Sequence, residues 1–383
     1  MKFGFSEEQL RFREEVREFC LKTPRYKLAN PMEESFYSPE YYRDVAAKGW
    51  IGLQWPKQYG GQGRSWVETA LFNEEMGYHR APLGDLYYQT VGLFGDFCCS
   101  YGTERQKKDY LPRIARGEIK VARGYTEPNA GYDLASMETY ARPDGDNYII
   151  NGHKRFITGA NVADHVFLMA RTDLDAPKEK GISFFVVDLK TPGISVSPVW
   201  TIALRTNDVF FDNVRVPGEN MVGEKNRAFE YIDKDPHFRY ETSLGLALGD
   251  MRRTFERFVR YVKEEDKRLS QSPQVRQKLA EIATEIEILR LMTYRVAWMR
   301  SAGLSPKYEI YMEKFCEAET SQKLTSIAME ILGLFGQLEI GSKHAPLRGI
   351  MPIYSRTALI SFLPGSPEIL RNAIAQKALG LPA

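Results

Sequence analysis

The sequence is poor in cysteine and histidine, with four cysteines and five histidines among its 383 residues. Four cysteines are too few for a disulfide framework in a chain of this length, and the adjacent Cys98 and Cys99 lack the spacing of metal ligands. The histidines form no HxxxH or HExxH pair, so the sequence does not support a catalytic metal. We therefore expect thiols packed in the core and no metal site.

The sequence also lacks an excess of one charge and any long apolar run. Its 52 Lys and Arg residues against 50 Asp and Glu residues leave a formal net charge of +2, which gives no electrostatic surface for nucleic acid. No apolar run approaches the length that spans a bilayer, and the N-terminal MKFGFSEEQL contains no apolar signal core. These absences predict a cytoplasmic protein with no nucleic-acid partner and no membrane insertion.

The spacing of apolar residues changes twice along the chain. Residues 1–122 have mostly helical spacing, and Ser6 is placed to cap a first helix. Short β-branched and aromatic runs separated by turn residues follow, among which Asn151 and Gly152 predict a hairpin turn. Helical spacing then returns, with a stripe that alternates steps of four and three over Val275, Leu279, Ile282, Ile286, Leu289 and Val296.

This order of helical and strand patterns predicts an α+β protein. Because 383 residues exceed what one hydrophobic core usually holds, we expect more than one domain. We expect an N-terminal helical domain over residues 1–122 and a middle β-barrel or sandwich domain over residues 123–226. The remaining residues, 227–383, are expected to form a C-terminal four-helix bundle.

Five co-linear stretches carry a resemblance to one family. The longest, GYTEPNAGYDLASMETYARPDGDNYIINGHKRFITGANVAD at 124–164, is similar to the Thr-Glu-Pro-x-Ala-Gly-Ser-Asp and Asn-Gly-x-Lys-x-Trp-Ile-Thr segments of the acyl-CoA dehydrogenases. The others are PKQYGGQG (56–63), YGTERQKKDYLPRIARGE (101–118), FFDNVRVPGENMVGE (210–224) and PGSPEILRNAIAQKALGLP (364–382). The chain therefore resembles the acyl-CoA dehydrogenases over essentially its whole length.

The resemblance implies the general properties of that family. They are FAD as cofactor, an acyl-CoA substrate, a tetramer of identical or closely related subunits, and electron-transfer flavoprotein as electron acceptor. The reaction would be dehydrogenation of an acyl thioester, with a proton taken by a carboxylate and a hydride passed to N5 of the flavin.

The resemblance also assigns residues to the flavin ring. By position, Tyr125, Thr126 and Thr158 would touch the isoalloxazine, with Thr158 forming a hydrogen bond near N5. Phe156 would stack on the ring where the family usually has Trp. Taken alone, such residues are more often a threonine on a strand face and a phenylalanine in the core, but their place within two matching motifs favours the flavin.

A second group of residues resembles the parts of the family that hold the rest of FAD. Gly333 and Gly336 resemble the remains of a Gly-Gly-x-Gly loop whose backbone can approach the diphosphate. Near the C-terminus, Gly365, Ser366 and Glu368 retain most of a loop that contacts FAD.

The catalytic base departs from the usual family pattern. The α-proton of a thioester is weakly acidic, so its removal requires a nearby carboxylate, whose pKa a low-dielectric pocket would raise. Many members use a Glu directly before the Gly of a Tyr-Glu-Gly-Thr motif, and that position is Pro364 here. In a minority, the base lies on the first long C-terminal helix, where Asp235 matches the position and Glu241 follows it. Asp235 is equally compatible with catalysis and with a solvated helix N-terminus, whereas for Glu241 the solvated position is favoured.

Asp85 is the candidate that we favour. It lies in APLGDLYYQTVGLFGD, on the helix that lines the acyl pocket in this family, and an unpaired acid in so apolar a stretch would be costly to bury. Relatives that act on alicyclic acyl-CoA substrates resemble this arrangement, with an Asp of this helix as the base. Tyr87, Tyr88 and Gln89 would then shape a wide aromatic pocket for a cyclic or bulky acyl group, such as a cyclohexane or cyclohexene carboxyl-CoA.

Further departures leave two other functions open. Tyr132 replaces the Ser of Ala-Gly-Ser-Asp that usually helps to bind the phosphate end of CoA, and Glu265 lies where an Arg-x-x-Phe-Gly motif usually holds the FAD pyrophosphate. Together with Pro364, these changes are also compatible with a non-catalytic subunit of a heteromeric dehydrogenase. A flavin oxidase or monooxygenase on the same fold is the other alternative.

Overall fold

The computed structural model describes residues 4–22, 37–201, 205–240, 243–338, 342–349 and 365–382. The helices are α1 Glu7–Cys20, α2 Pro39–Ala47, α3 Trp66–Tyr78, α4 Asp85–Tyr88, α5 Asp96–Tyr101, α6 Glu104–Ala115, α7 Ala228–Lys234, α8 His237–Tyr240, α9 Leu246–Glu264, α10 Lys267–Gln271, α11 Pro273–Ser301, α12 Tyr308–Leu332 and α13 Pro367–Lys377. The strands are β1 Val121–Gly124, β2 Tyr140–Asp144, β3 Asn147–Lys154, β4 His165–Arg171, β5 Ile182–Asp188, β6 Ile194–Trp200, β7 Arg205–Pro217 and β8 Met221–Val222.

These elements belong to two compact units, which are described separately. The helical unit comprises Met1–Thr23, Ser65–Ala81 and Tyr240–Ala383. The mixed unit comprises Pro24–Arg64 and Pro82–Arg239, and it contains the strands.

The helical unit is built around α3, α9, α11 and α12. The predicted stripe of α11 is confirmed, since Ile282, Ile286 and Leu289 are buried against residues of α9 and α12. α3 and α9 approach closely at Gly77 and Gly249. A Cβ on Gly249, for example, would lie 2.0 Å from the carbonyl oxygen of Glu74, so only glycine fits there. Among the helices that the structure describes, none is both long and apolar enough to cross a membrane.

The first helix begins as predicted. Ser6 caps α1: its hydroxyl accepts from the backbone N–H of Gln9, and the Gln9 side chain accepts from the backbone N–H of Ser6. This reciprocal capping box satisfies two of the N–H groups that a helix N-terminus leaves without partners.

The mixed unit contains one sheet of eight strands in the order β6-β7-β3-β2-β4-β5-β8, with β1 paired to β4 in parallel. Its two halves join through the single pair Tyr140 and Arg171, between β2 and β4. Residues of both halves nevertheless share one apolar core, which fits the predicted packing of sheet on sheet. Its members include Ala141, Ile150, Val166, Leu168, Phe185, Val187, Val209 and Val214.

The predicted hairpin turn at Asn151 and Gly152 is wrong. β3 runs through both residues, and its register against β7 shifts there by a β-bulge. The chain turns earlier, at Gly145, which has φ +58°. Gly152 serves close packing instead, because a Cβ on it would lie 2.2 Å from Oγ1 of Thr139.

Candidate functional site

A helix with an irregular middle runs over residues 85–101 of the mixed unit and is termed the pocket helix. It begins as α4, continues as a π-helical turn over Gln89–Gly95 and ends as α5. Oε1 of Gln89 accepts from the backbone N–H of Arg123 at 2.7 Å and so fixes the irregular turn against β1. Turns of this kind are rare and occur frequently at functional sites.

The pocket helix rests on a tryptophan that the sequence analysis did not single out. Nε1 of Trp55 donates to Oδ1 of Asp96 at 2.7 Å, and Nε2 of Gln54 donates to the same oxygen at 2.7 Å. A Cβ on Gly95 would lie 2.2 Å from the Trp55 ring, so the helix lies directly on the indole. A glycine followed by an acid within an apolar run was the signal that could have indicated this contact. The PKQYGGQG loop starts one residue after Trp55 and packs on it, since a Cβ on Gly61 would lie 2.1 Å from the Trp55 carbonyl oxygen.

The two motifs assigned to the flavin are joined by a buried ion pair. Nζ of Lys154, which has no exposed surface, lies 2.8 Å from Oε1 of Glu127 and donates to the carbonyl oxygen of Tyr125 at 3.1 Å. Burial alone would raise the pKa of Glu127, but Lys154 and the backbone N–H of Glu138 outweigh it and lower that pKa. Burial lowers the pKa of Lys154, and the carboxylate offsets part of this effect. The pair therefore fixes the two segments relative to each other.

The residues next to this pair form a surface that fits a flat ring. The carbonyl oxygen of Thr126 accepts from the backbone N–H of Arg155 at 2.8 Å, and Thr126 and Thr158 both remain half-buried. Phe156 has φ +60° and is 47% exposed, which is unusual for a large apolar side chain. Strain of this kind clusters at ligand sites. The residues present thus fit an isoalloxazine stacked on an aromatic side chain beside hydroxyl and backbone donors.

The start of the pocket helix meets the Thr158 turn through Leu86, the residue after Asp85. Leu86 is buried in the sheet core together with Ile157. Gly159 has φ +76°, and a Cβ on it would lie 2.6 Å from the Leu86 side chain. The structure thus brings the start of the pocket helix and the predicted flavin turn into direct contact.

The three residues expected to shape the acyl pocket occupy different environments. Tyr87 is buried and its ring meets that of Tyr42 edge to face at 6.3 Å; burial raises its pKa. Tyr88 and Gln89 are half-buried. The Tyr88 hydroxyl lies 3.3 Å from Nδ1 and 3.2 Å from Nε2 of His237, a buried residue that the sequence analysis did not assign to the site.

Of the other two candidate bases, Asp235 lies between α7 and α8. Oδ1 of Asp235 accepts from the backbone N–H of His237 at 3.1 Å, a contact typical of an acid at the start of a helix. Glu241 lies outside the described residues, as does Pro364. Tyr132 is 49% exposed, and its carbonyl oxygen accepts from the Arg239 guanidinium at 2.7 Å.

The remaining residues assigned to FAD belong to the helical unit. Gly333 ends α12 with φ +55°, and an added Cβ would meet no described atom within 4 Å, so the backbone is open there. Gly336 is buried. Gly365 has φ +101° and packs on Tyr240, and Ser366 caps α13. The Ser366 hydroxyl lowers the pKa of the exposed Glu368. In the parts of the chain that the structure covers, no three His, Cys, Asp or Glu side chains are grouped to hold a metal ion.

Comparison with known families gives the class of this fold. Residues 6–118 match the N-terminal domain of the acyl-CoA dehydrogenases, residues 122–214 match the middle domain, and residues 241–379 match the C-terminal domain. The chain belongs to the acyl-CoA dehydrogenase family, whose members are FAD-dependent oxidoreductases.

Individual relatives match the whole chain. It is 33% identical over 400 residues to the acyl-CoA dehydrogenase FadE26 of Mycobacterium tuberculosis, covering 100% of this chain and 99% of the relative. Among solved structures, a steroid acyl-CoA dehydrogenase named Tcur3481-Tcur3483 is 33% identical with a TM-score of 0.89, covering 100% of both chains. A chain of the ChsE4-ChsE5 complex from Mycobacterium tuberculosis is 30% identical with a TM-score of 0.85 and the same coverage.

Proposed function

We propose that the protein dehydrogenates the CoA thioester of a cyclic or bulky acyl group, with Asp85 as the base. Tyr125, Thr126, Phe156 and Thr158 would hold the isoalloxazine of FAD. The backbone at Gly333 and Gly336 would approach the diphosphate, and the loop over Gly365, Ser366 and Glu368 would contact the same cofactor.

The contact between Gly159 and Leu86 is the observation that carries this proposal. Leu86 directly follows Asp85, so this contact supports a position for Asp85 beside the Thr158 turn, where a base would reach a carbon next to the flavin. The contact from Asp235 to the His237 backbone supports a capping role for that acid. Of the two, Asp85 is therefore the better candidate.

The chemistry divides between the chain and its cofactor. Asp85 would take the proton from the α-carbon, and a site closed to water would raise the pKa of its carboxyl towards neutrality. FAD, when bound, supplies the hydride acceptor at N5. Donors from the Thr126 and Thr158 turns would hold the ring and the thioester in register.

The shape of the acyl group is inferred from the pocket helix. Tyr88 and Gln89 keep exposed surface beside the candidate base, whereas Tyr87 is directed into the core. The similarity to a steroid acyl-CoA dehydrogenase supports a wide acyl group. We propose a cyclic acyl group such as a cyclohexane or cyclohexene carboxyl-CoA, or a larger fused-ring equivalent.

Anaerobic titration of the purified holoprotein tests the proposal. Linear, branched, alicyclic and polycyclic acyl-CoA thioesters are added in turn, and the flavin absorbance is followed. We expect a cyclic or polycyclic thioester to bleach the flavin fastest. Asp85→Asn should slow bleaching by about 10²- to 10⁴-fold, the usual effect of losing a general base.

Asp235→Asn and Glu241→Gln are the matched controls, and both should bleach at nearly the wild-type rate. Loss of bleaching in either control with full activity in Asp85→Asn would transfer the role to that acid. A holoprotein that no acyl-CoA bleaches would overturn the proposed function itself.

A heteromeric assembly is the second candidate, favoured by Pro364 and by the relatives whose names join two proteins. Our first expectation is a cytoplasmic homotetramer that passes electrons to electron-transfer flavoprotein. Light scattering of the chain expressed alone, with its FAD content, separates the two. A stable tetramer with one FAD per subunit favours the homotetramer, whereas a monomer without FAD favours a non-catalytic subunit of a heteromeric dehydrogenase.

A further inference from the structure

A buried histidine lies against the pocket helix and has a defined tautomer. His237 is 2% exposed, and its Nε2 lies 2.8 Å from the carbonyl oxygen of Gly92. A carbonyl oxygen can only accept, so Nε2 carries the hydrogen. The Tyr88 hydroxyl lies 3.3 Å from Nδ1 and 3.2 Å from Nε2, and in this neutral tautomer only Nδ1 can accept its hydrogen.

The π-helical turn makes this arrangement possible. Gly92 lies in the middle of the turn, where regular helical hydrogen bonding is interrupted and a carbonyl oxygen can turn to an outside donor. A Cβ on Gly92 would lie 2.8 Å from the Tyr88 ring. The absence of a side chain therefore allows the Tyr88 ring to lie over Gly92 while His237 holds both residues.

The backbone around His237 is held in place by hydrogen bonds and by packing of the next residue. Its backbone N–H donates to Oδ1 of Asp235 at 3.1 Å, and the backbone N–H of Asp235 donates to the Tyr231 carbonyl oxygen at 2.9 Å. The ring of Phe238 meets that of Phe97 on α5 edge to face at 5.1 Å. The segment that carries His237 is thus anchored to the mixed unit by hydrogen bonds and by aromatic packing.

We infer that His237 is a positioning residue that fixes Tyr88 and thereby sets the preference of the pocket for wide over linear acyl groups. The inference rests on the proposed function and assigns no contact between His237 and the reacting atoms. Tyr88 is half-buried, one turn after Asp85, so the direction of its ring decides how much width remains beside the base. A ring held by His237 keeps that width constant, whereas a ring released from it can rotate into the space.

The test compares kcat/KM for one polycyclic and one linear acyl-CoA in the holoenzyme. Tyr88→Phe removes only the hydroxyl, and His237→Leu removes both hydrogen bonds at similar volume. Each should lower the ratio of polycyclic to linear kcat/KM by about tenfold, the scale of a lost buried hydrogen bond. Because the two residues act as one unit, the double variant should fall no further than either single variant.

Another histidine and tyrosine of the mixed unit provide the matched control. The rings of His165 and Tyr110 meet edge to face at 5.7 Å, and Tyr110 also meets the ring of Phe94 at 5.4 Å, so this pair reaches the pocket helix at Phe94 rather than at Tyr88. His165→Leu and Tyr110→Phe should leave the selectivity ratio unchanged. His237→Gln, which can still donate to Gly92, should recover part of the ratio lost in His237→Leu.

The outcomes separate the two claims. A wild-type flavin that no thioester reduces overturns the proposed function, and the positioning role with it. A wild-type enzyme that is reduced, with an unchanged ratio in Tyr88→Phe and in any His237 variant that folds, overturns the positioning role alone. Calorimetric binding of non-oxidisable polycyclic and linear thioesters gives the same comparison without turnover, and equal losses for both ligands would also contradict it.

Discussion

α3 in the helical unit and the pocket helix in the mixed unit are both rich in buried residues, but they are built by opposite rules. α3 is capped by Ser65 in a capping box with the buried Glu68, and its other two buried acids, Glu74 and Glu75, each pair with arginines. The pocket helix follows Gly84 at φ +73° with no cap from a described side chain, and its hydrogen bonding is irregular over Gln89–Gly95. The contacts of α3 therefore favour stability, whereas the pocket helix is irregular at the proposed site.

The largest effect on the free energy of unfolding is expected at Glu74 of α3. The carboxylate is buried and accepts from Arg252 of α9 and from the Tyr294 hydroxyl of α11, while Arg13 of α1 lies 3.5 Å away. Glu74→Gln would remove the buried charge that the half-buried Arg252 and Arg13 share, so we expect a loss of about 3 kcal/mol in the free energy of unfolding. Urea denaturation measures it.

Glu330→Gln is the control for that experiment. This acid pairs with Lys278 at the surface of the same unit, and its side chain is 64% exposed. A surface pair contributes little, so the change should be below about 1 kcal/mol. Equal losses in the two variants would show that the charges around Glu74 do not act as a buried network.

The second effect is a pH dependence at Glu75. Burial alone would raise the pKa of Glu75, but hydrogen bonds from His79, Arg17 and Arg13 outweigh it and lower the pKa to about 2. A lowered folded-state pKa contributes stability that is present above the ordinary value of 4.5 and is lost as the pH falls towards 2. A shift of this size corresponds to about 3 kcal/mol.

Urea midpoints measured from pH 5 to pH 2 test this dependence. The wild type should lose stability steeply over that interval, and Glu75→Gln should show a shallower loss from a lower starting value. Parallel curves for the two proteins would contradict the assignment.

The third effect has the opposite sign and comes from Glu313 on α12. Its side chain is buried, and Oε2 has no hydrogen-bond partner among the described atoms; the neighbouring Lys314 pairs with Glu317 at 2.8 Å. Burial raises the pKa of Glu313 to about 7. A raised pKa means that the folded state loses stability as the pH rises from 4.5 through 7.

Glu313→Gln should therefore stabilise the protein above pH 7, by up to about 2 kcal/mol, because it removes the cost of burying the charge. Only a small part of the gain should remain at pH 5, where the native carboxyl is neutral and the pH lies little above the ordinary pKa of 4.5. Melting temperatures of both proteins at pH 5, 6, 7 and 8 give the comparison. A variant less stable than the wild type at pH 8 would mean that the ionised carboxylate has a partner.

Local patterns account for what could be predicted from the sequence. The cap at Ser6 and the apolar stripe on α11 depend on residues three and four apart, and both were predicted correctly. The bulge at Gly152 was not, because glycine is required there by contact with Thr139, which directly precedes β2 and is 13 positions away in the sequence. A tight turn and a close approach of another residue to the backbone both favour glycine, and only the fold shows which of the two applies.

The site was harder to predict for the same reason. Periodicity cannot separate a π-helical turn of seven residues from an α-helix, so the irregular middle of the pocket helix leaves no pattern in the sequence. Trp55 contacts that helix from 41 positions away along the chain, and His237 contacts it from 145 positions away. The family resemblance indicated the turns at Thr126 and Thr158 as candidates for the flavin. The residues that pack against the pocket helix became evident only from the fold.

The smallest effect on the free energy of unfolding is expected at Gly92. Its Cβ would meet the Tyr88 ring, the far end of a flexible side chain that can move aside, and alanine favours helix. Gly92→Ala should therefore change the free energy of unfolding by less than about 1 kcal/mol. It should still displace Tyr88 and lower kcat/KM for a polycyclic acyl-CoA more than for a linear one. Gly95→Ala on the same turn would press on buried Trp55 and should cost about 1–3 kcal/mol without this selectivity change. If both variants lose stability equally and keep the wild-type selectivity, the pocket helix is no different in kind from α3.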